Sequence, residues 1–319
     1  MKTLLLFLDG VGLGDDDASS NPFLNATLPA LHALLDVDRI TRTTAGASSA
    51  RATLVGLDAT LGVAGTPQSG TGQATLLTGA DAVALHGRHF GPWVPSRLQP
   101  LVRDESILRQ AQRASLVAAF ANPYPEEVLA HARGEDVQVV SDAPGRMRRG
   151  SPSFLRAGPP LAALGAGLLT RHTQSLVDGD AVATEITNDG WRRRLARTAV
   201  PEVTAADAGR TLARIAGAHD VTLFAHYATD YAGHAGAMDD CVLALERVDA
   251  FLGGLLDAMP ADLLVFVVSD HGNIEDVRVG HTRNPALGIV IGEGHAASAA
   301  RLNSLVDVAG ALMAAARDR

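Results

Sequence analysis

Carboxylates and imidazoles are the residues of this sequence whose types and spacing point to chemistry. Asp230 and His234 are four residues apart, so both can face one ion from a helical turn or a tight loop. Asp270 and His271 are adjacent and follow an apolar run directly. Adjacent side chains diverge on a strand, but Gly272 permits a backbone turn that would let both reach one ion. Both pairs are therefore candidate metal ligands.

Two more donors extend this set. Asp9 follows the apolar run Thr3–Leu8, and His281 lies in the loop Gly280–Pro285. Each residue alone also has an ordinary explanation, as a loop cap or a side chain that faces water. Taken together, six donors exceed the three or four protein ligands of a typical catalytic ion, so we expect two ions. Paired ions roughly 3.5–4 Å apart suit displacement at phosphorus. Oxygen and imidazole donors allow Mn²⁺, Zn²⁺ or Mg²⁺.

A nucleophile candidate lies in the glycine-rich segment of residues 65–77, which reads as a loop leading into a helix. Ser69 is expected at the N-cap of that helix, where backbone N–H groups and the helix dipole favour a bound anion. The alternative is that Ser69 only caps the helix. Thr66 and Thr71 are competing hydroxyls in the same segment.

These candidates require a sheet whose strand ends bring them together. Continuous apolar runs suit parallel strands that are covered on both faces, and helical patterns alternate with such runs. The runs and helical patterns are Thr3–Leu8, Ala205–Gly217, Val221–Tyr227, Met238–Ala258, Leu263–Ser269, Leu287–Ile291 and Leu302–Arg317. This order predicts an α/β fold with a mostly parallel sheet flanked by helices. Binding residues in such sheets lie beyond the carboxyl ends of the strands, as Asp9 and Asp270 do.

The middle of the chain differs in composition from the two segments that flank it. Residues 85–200 contain nine prolines, with basic residues among them. We interpret this segment as a smaller inserted α+β cap domain between two core segments, residues 1–84 and 201–319. Its short strands are expected at Leu116–Phe120 and Val137–Val140, and its helices at Pro160–Leu169 and Ala181–Ala196.

Three arginines of this middle segment are candidates for binding substrate. Arg146 and Arg148 lie in a loop flanked by Gly and Pro, and Arg88 lies near Trp93. A guanidinium fork matches phosphate oxygens well. The alternative is that these residues form solvated basic loops.

Composition narrows the class of protein. The 319 residues are 47% hydrophobic and 19% charged, as expected for a packed globular protein. A net charge of −8 provides no general attraction to nucleic acid or to anionic membranes. The single cysteine, Cys241, excludes an internal disulfide and a thiolate metal cage. The N-terminal apolar run ends at Asp9 without a cleavage pattern, and we expect a cytoplasmic protein without a membrane span. The oligomeric state is not indicated.

The motifs as a set resemble the alkaline phosphatase superfamily. The most similar branch contains cofactor-independent phosphoglycerate mutase and phosphopentomutase. The resemblance covers both core segments, about two-thirds of the chain. The motifs that carry it are Asp9-Gly10, the Ser69 loop, Asp230 through His234, Asp270-His271-Gly272-Asn273, and His281-Thr282 with Asn284-Pro285.

The resemblance implies a role for each position. Asp230, His234 and His281 match the ligands of one ion. Asp9, Asp270 and His271 match those of the other, which would also activate the Ser69 oxygen. In that superfamily the serine or threonine attacks phosphorus and forms a covalent phosphoenzyme, and an alcohol needs such activation because it is a poor nucleophile.

The sequence also departs from the mutases, so the reaction stays open at this point. The chain is shorter than the phosphoglycerate mutases, and Gln73 stands where those families have histidine. The leading hypothesis is a metal-dependent phosphomonoesterase or related phosphotransferase acting on a small phosphate ester. The alternatives are a phosphomutase and a metal-binding relative that has lost turnover.

Overall fold

The computed structural model describes residues 1–137, 139–140, 147–148 and 153–318, with the backbone alone at residues 139–140, 147–148 and 153–154. Within these ranges the chain forms eight strands: β1 (Lys2–Leu8), β2 (Ala52–Leu57), β3 (Ala118–Phe120), β4 (Val139–Val140), β5 (Met147–Arg148), β6 (Val221–His226), β7 (Leu263–Val268) and β8 (Ala286–Ile291). Six strands form the main sheet in the order β2-β8-β7-β1-β6-β3, and β4 pairs with β5 in a separate antiparallel ribbon.

The main sheet is parallel on one side and antiparallel on the other. Strands β7, β1, β6 and β3 run in the same direction, whereas β8 is antiparallel to both β7 and β2. This confirms the predicted α/β fold with a mostly parallel sheet. The antiparallel step arises because no helix connects β7 to β8, so the chain returns along the same edge. Both ends of that connection therefore lie at the edge where β1 and β6 also end.

The sheet lies between two apolar layers. Residues of β1 alternate between them, with Leu5 and Phe7 in one layer and Leu4, Leu6 and Leu8 in the other. Strands β6, β7 and β8 are buried along their whole length. Burial on both faces is the physical reason that these strands read as continuous apolar runs.

Helices cover both faces of the sheet. In the described ranges these are α1 (Pro29–Leu35), α2 (Ser69–Thr78), α3 (Ala82–His86), α4 (Gln99–Glu105), α5 (Ile107–Arg113), α6 (Glu126–Ala132), α7 (Gly158–Gly165), α8 (Thr173–Val177), α9 (Asp189–Arg193), α10 (Ala205–Gly217), α11 (Ala228–Ala235), α12 (Met238–Ala258), α13 (His295–Ala299) and α14 (Leu305–Arg317). Short 3₁₀ helices occur at Pro22–Leu24, Arg42–Thr44, Ser96–Leu98 and Ser153–Arg156. No helix within the described part of the chain is long and apolar enough to cross a bilayer.

Part of the segment expected to be an inserted domain belongs to the main sheet. Strand β3 lies within residues 85–200 and pairs in parallel with β6 as an edge strand. Buried residues from Val94 to Ala166 share one apolar layer with Phe7 of β1. The cap boundary expected at residue 85 is therefore not visible in the packing. A separate small cluster of Leu176, Ala181, Ala183, Trp191 and Val200 forms near the end of the segment.

Local predictions within this segment were partly wrong. The expected helix at Ala181–Ala196 is only the single turn of α9 (Asp189–Arg193), because the chain folds back at Ala183 and Ile186 in a tight turn. Ile186 has φ +73° there, a conformation outside the helical region. The helix expected at Pro160–Leu169 begins two residues earlier and ends at Gly165.

Helices α10 and α12 approach unusually closely through two glycines. A Cβ atom at Gly209 would lie 2.0 Å from the Phe251 carbonyl oxygen. A Cβ atom at Gly254 would lie 1.9 Å from the Ala206 carbonyl oxygen. Neither distance is possible for a real side chain, so both positions depend on the absence of a side chain. The neighbouring Gly253 differs, because its Cβ would make only an ordinary 3.5 Å contact with Ala30.

This pair of neighbours provides a matched test. We expect Gly254→Ala to lower the free energy of unfolding by about 1–3 kcal/mol, because α10 and α12 must move apart. Gly253→Ala should instead raise it by up to about 1 kcal/mol, because alanine favours the helix. Urea unfolding followed by circular dichroism measures both changes. Equal effects of the two substitutions would contradict the close-packing explanation.

Candidate metal centre and nucleophile

Asp9, Asp270 and His271 form a group that we call the buried cluster. Asp9 follows β1 directly, and the other two follow β7. His271 Nε2 lies 3.5 Å from Asp9 Oδ1 and 3.7 Å from Asp270 Oδ2. The residues are 6%, 0% and 0% exposed, respectively. One donor atom from each lies within 4.8 Å of the others, a spacing that one metal ion can bridge.

Asp230, His234 and His281 form a second group, which we call the open cluster. Asp230 and His234 lie one turn apart on α11, and His281 precedes β8. His234 Nε2 lies 3.3 Å from Asp230 Oδ2 and 3.0 Å from His281 Nε2. The His234 side chain is 53% exposed, so this cluster is accessible from solvent.

The two clusters are in direct contact. The rings of His271 and His281 stack with centroids 4.0 Å apart. All six residues predicted from the motifs therefore lie in one site at the carboxyl-end edge of the parallel strands. The return of the chain from β7 to β8 explains this, because it carries Asp270 and His271 at its start and His281 near its end.

The buried cluster places two carboxyl groups where burial disfavours their charged forms. Burial raises the pKa of Asp9 well above its ordinary value, and the charges of Asp270 and Asp230 raise it further. Burial also raises the pKa of Asp270. Asp9 Oδ1 and Asp270 Oδ2 are buried and have no hydrogen-bond partner among the described residues. Buried carboxylate oxygens without a hydrogen bond are costly, and a divalent cation would compensate them. The donor set thus fits a metal ion.

The open cluster is more polar and is held by its neighbours. Burial opposes the charged form of Asp230, but hydrogen bonding to His281 and Asn273 and the nearby imidazoles outweigh it and lower its pKa. Burial likewise disfavours the protonated His281, but Asp230 outweighs it and raises the pKa of His281. Asn273 Nδ2 donates to Asp230 Oδ1 at 2.6 Å, and His281 Nδ1 lies 3.0 Å from the Pro67 carbonyl oxygen. Such contacts fix the orientation of metal-binding side chains.

Ser69 lies next to the buried cluster. Its Oγ is 2.9 Å from His271 Nε2, and the residue is 4% exposed. The helix begins at Ser69 itself, with Gln68 at the N-cap, one residue earlier than predicted. The hydroxyl of Thr71 lies elsewhere, since it accepts a hydrogen bond from the Phe90 backbone N–H at 3.1 Å. Of these two buried hydroxyls, Ser69 is the one that contacts a cluster residue.

The structure says less about the three arginines that were predicted to bind substrate. The guanidinium carbon of Arg88 lies 6.0 Å from the centre of the Phe90 ring. The Phe90 carbonyl accepts the Thr71 backbone N–H, so Arg88 stands beside the first turn of α2. Arg146 lies outside the described residues, and only the backbone of Arg148 is described, in β5. Their role in substrate binding stays a prediction.

Two polar residues support the site: Gln73, which the sequence showed only as a departure from the histidine of the mutases, and Glu275, to which no role was assigned from the sequence. Gln73 donates from Nε2 to Asp9 Oδ2 at 3.2 Å and accepts the Gly158 N–H at Oε1, 2.8 Å away. Glu275 is 1% exposed and contacts the loops of both clusters. The sequence offered one indication of a role for Glu275, its position in the loop that follows Asp270. A carboxylate that is buried there needs several hydrogen-bond donors.

A parallel sheet whose strand ends carry two touching groups of metal-ligand side chains defines a candidate metalloenzyme. The sequence profile of the Metalloenzyme superfamily matches residues 1–316, and the chain belongs to that superfamily. The resemblance to the alkaline phosphatase superfamily, in its phosphomutase-like branch, is thereby confirmed.

The most similar curated relatives include 2,3-bisphosphoglycerate-independent phosphoglycerate mutases. The protein from Desulforudis audaxviator is 34% identical over 99 residues, which are 28% of this chain and 19% of that protein. The protein from Cereibacter sphaeroides is 28% identical over 156 residues, 44% of this chain and 31% of that protein. The matches thus span less than a third of the relatives' own length. Among solved structures, the PH0037 protein from Pyrococcus horikoshii has a TM-score of 0.52 at 12% identity, covering 99% of this chain and 96% of that one, which indicates a similar fold.

The two clusters lead to a prediction about stoichiometry. Metal-free protein loaded with Zn²⁺ or Mn²⁺ should bind about two equivalents by elemental analysis, one for each cluster. The double variant His234→Ala/His281→Ala should retain about one, because the buried cluster keeps its donors. The control His172→Ala/His295→Ala, which alters histidines outside both clusters, should retain about two. A single equivalent in the native protein that persists in the first double variant would contradict the two-cluster assignment.

Proposed function

We propose that this protein is a metal-dependent phosphoryl-transfer enzyme that acts on a small phosphate ester through a phosphorylated Ser69. Six donors in two touching clusters support two divalent ions. The observation that carries the proposal is the 2.9 Å contact between Ser69 Oγ and His271 Nε2, which puts a hydroxyl against the buried cluster. An alcohol beside such a site can act as a nucleophile, whereas a serine that only caps a helix needs no such neighbour.

The first turn of α2 supports an anion at the same point. The Phe90 carbonyl accepts the Thr71 N–H and the Gln68 carbonyl accepts the Gly72 N–H. Among the described residues this leaves the N–H groups of Ser69 and Gly70 as the donors available to a phosphoryl oxygen. The positive end of the helix dipole adds to their effect.

A glycine at position 70 allows this arrangement. A Cβ atom there would lie 2.1 Å from the Trp93 carbonyl oxygen, so a side chain would push the covering loop away from Ser69. The loop in turn carries Phe90, which holds Thr71 out of the site. The packing thus supports Ser69, rather than Thr71, as the group that reacts.

The chemistry then follows from the residues of the chain. Divalent ions in the clusters would supply positive charge that stabilises negative charge on oxygen. The Ser69 hydroxyl loses its proton as its oxygen bonds to phosphorus, and the bond from phosphorus to the ester oxygen breaks. The released alcohol oxygen takes up a proton. The oxygen of the acceptor, water or an alcohol, next attacks phosphorus and gives up its proton, the bond from phosphorus to Ser69 breaks, and the Ser69 oxygen takes up a proton that restores its hydroxyl.

The acceptor decides between two reactions. Transfer to water makes the protein a phosphomonoesterase, and transfer to a substrate hydroxyl makes it a phosphomutase. The solvent exposure of His234 supports access of water to the open cluster. The names of the curated relatives support the phosphomutase as the second candidate.

Substitution of Ser69 tests the nucleophile. We expect Ser69→Ala to lower turnover of p-nitrophenyl phosphate by roughly three orders of magnitude or more while about two metal equivalents remain bound. Loss of a polar group at the helix start costs only about 1 kcal/mol, so the fold should persist. Thr66→Val, a change in the same segment, should leave turnover within about threefold of native.

Intact-mass measurement provides the second readout of the same experiment. After incubation with a labile phosphate ester, the native protein should show one added phosphoryl group and Ser69→Ala none. Near-native activity of Ser69→Ala, or phosphate mapped to Thr71, would exclude the proposed nucleophile even with both metal ions present.

Product analysis separates the two reactions. With a small phosphorylated sugar or sugar acid as substrate, a phosphomonoesterase should release one inorganic phosphate for each ester consumed. A phosphomutase should instead produce a positional isomer with little free phosphate. Metal-loaded native protein that produces neither, across a panel of such esters, would favour the metal-binding relative without turnover.

A further inference from the structure

We propose that Glu275 is a positioning residue that controls metal affinity by bracing the loop after β1 and the β7–β8 connection, which carry four of the six candidate ligands. This inference rests on the proposed two-metal function. Glu275 touches none of the candidate ligand atoms in the described contacts, and so acts through the residues around it. The same observations distinguish it from the six candidate ligands and from Ser69.

The side chain of Glu275 accepts four hydrogen bonds, one from the loop after β1 and three from the β7–β8 connection to which Glu275 itself belongs. Oε2 accepts the backbone N–H groups of Gly12 at 2.9 Å and Asn273 at 2.8 Å. Oε1 accepts the Thr282 hydroxyl in a short bond and Asn284 Nδ2 at 3.1 Å. Each partner is a donor, and a carboxylate is the side chain that accepts on every side. The residue is 1% exposed, so these contacts are shielded from water.

Three of the four contacts lead to a candidate metal ligand. Gly12 lies three residues after Asp9, in the loop that leaves β1. Asn273 donates from its side chain to Asp230 Oδ1 at 2.6 Å. Thr282 adjoins His281, and its backbone N–H donates to the Gly272 carbonyl oxygen at 2.9 Å. One carboxylate therefore connects the loop that follows Asp9 with the residues next to Asp230 and His281.

Two glycines make room for this carboxylate. A Cβ atom at Gly12 would lie 2.4 Å from Glu275 Oε1, and one at Gly272 would lie 2.2 Å from the same atom. A side chain at Gly12 or Gly272 would therefore push the Glu275 carboxylate away from its hydrogen-bond partners. A carboxylate placed only by chance on a loop surface would not require this accommodation.

The positions of the four donors predict that substitution of Glu275 affects the two clusters unequally. In Glu275→Gln the remaining oxygen can still accept from Gly12 and Asn273. The new NH₂ group cannot accept from Asn284 Nδ2 and replaces the short bond from the Thr282 hydroxyl to a charged oxygen with a weaker one, so the loop that carries His281 is held less tightly. We therefore expect the damage to fall on the open cluster, with the buried cluster less affected.

The experiment is Zn²⁺ titration of the metal-free, full-length chain by calorimetry. In Glu275→Gln, we expect the affinity of one of the two equivalents to fall about 10–100-fold, a typical effect of losing a supporting contact. That equivalent should be the one that His281→Ala removes. Thr282→Val should reproduce the loss, and the Glu275→Gln/Thr282→Val double variant should add little to it, because both remove the same contact.

The control is Asp249→Asn. Asp249 is another buried carboxylate, 3% exposed, which accepts the backbone N–H groups of Ala30 and Leu31 away from the site. It should lower thermal stability without changing the affinity for Zn²⁺. Native-like affinities in both Glu275→Gln and Thr282→Val, or an equal loss in Asp249→Asn, would overturn the proposal.

The outcome for the proposed function is read separately. A native chain that binds two Zn²⁺ ions but turns over no phosphate ester would contradict the proposed function. The effect of Glu275 on Zn²⁺ affinity could still be measured. A native chain that binds no metal would overturn both proposals. If Glu275→Gln does not fold, Thr282→Val decides the question alone.

Discussion

The mutual repulsion of buried carboxylates is the constraint on which this site depends. Asp9 and Asp270 lie at the ends of adjacent parallel strands and face the same point, where burial raises the pKa of both. The fold brings them together because β1 and β7 are neighbours in the sheet. A cation between them would relieve the cost of holding two buried charges. The sheet and the loops around it hold these carboxylates in place.

The topology of the sheet provides the scaffold. Parallel strands end at the same edge of the sheet, so the strand order alone brings the residues after β1, β6 and β7 together. The antiparallel return to β8 brings His281 to the same edge. Loops at such an edge have few ladder hydrogen bonds, here only isolated bridges such as Gly272 with Thr282, so other contacts must anchor them. Gln73 fixes Asp9, Asn273 fixes Asp230, and Pro67 fixes the ring of His281.

Close backbone approach is a second recurring feature. Gly70 lets the Trp93 loop lie on the start of α2, and Gly12 and Gly272 admit the Glu275 carboxylate. Gly209 and Gly254 bring α10 and α12 together far from the site. In each case a side chain would collide with backbone or with a buried charge, and glycine is present because of packing rather than flexibility.

The sequence by itself determined the α/β class, the four long strands of the core and the six donor residues of the site. These follow from local patterns, since apolar runs and motif spacing are properties of neighbouring residues. The place of Ala118–Phe120 in the main sheet, the antiparallel direction of β8, and the roles of Gln73 and Glu275 were decided only by the tertiary structure. A three-residue edge strand carries too little pattern to be assigned to a sheet. Asn273, Thr282 and Asn284 are close to Glu275 in the chain, but Gly12 is 263 residues away and reaches the same carboxylate only after folding.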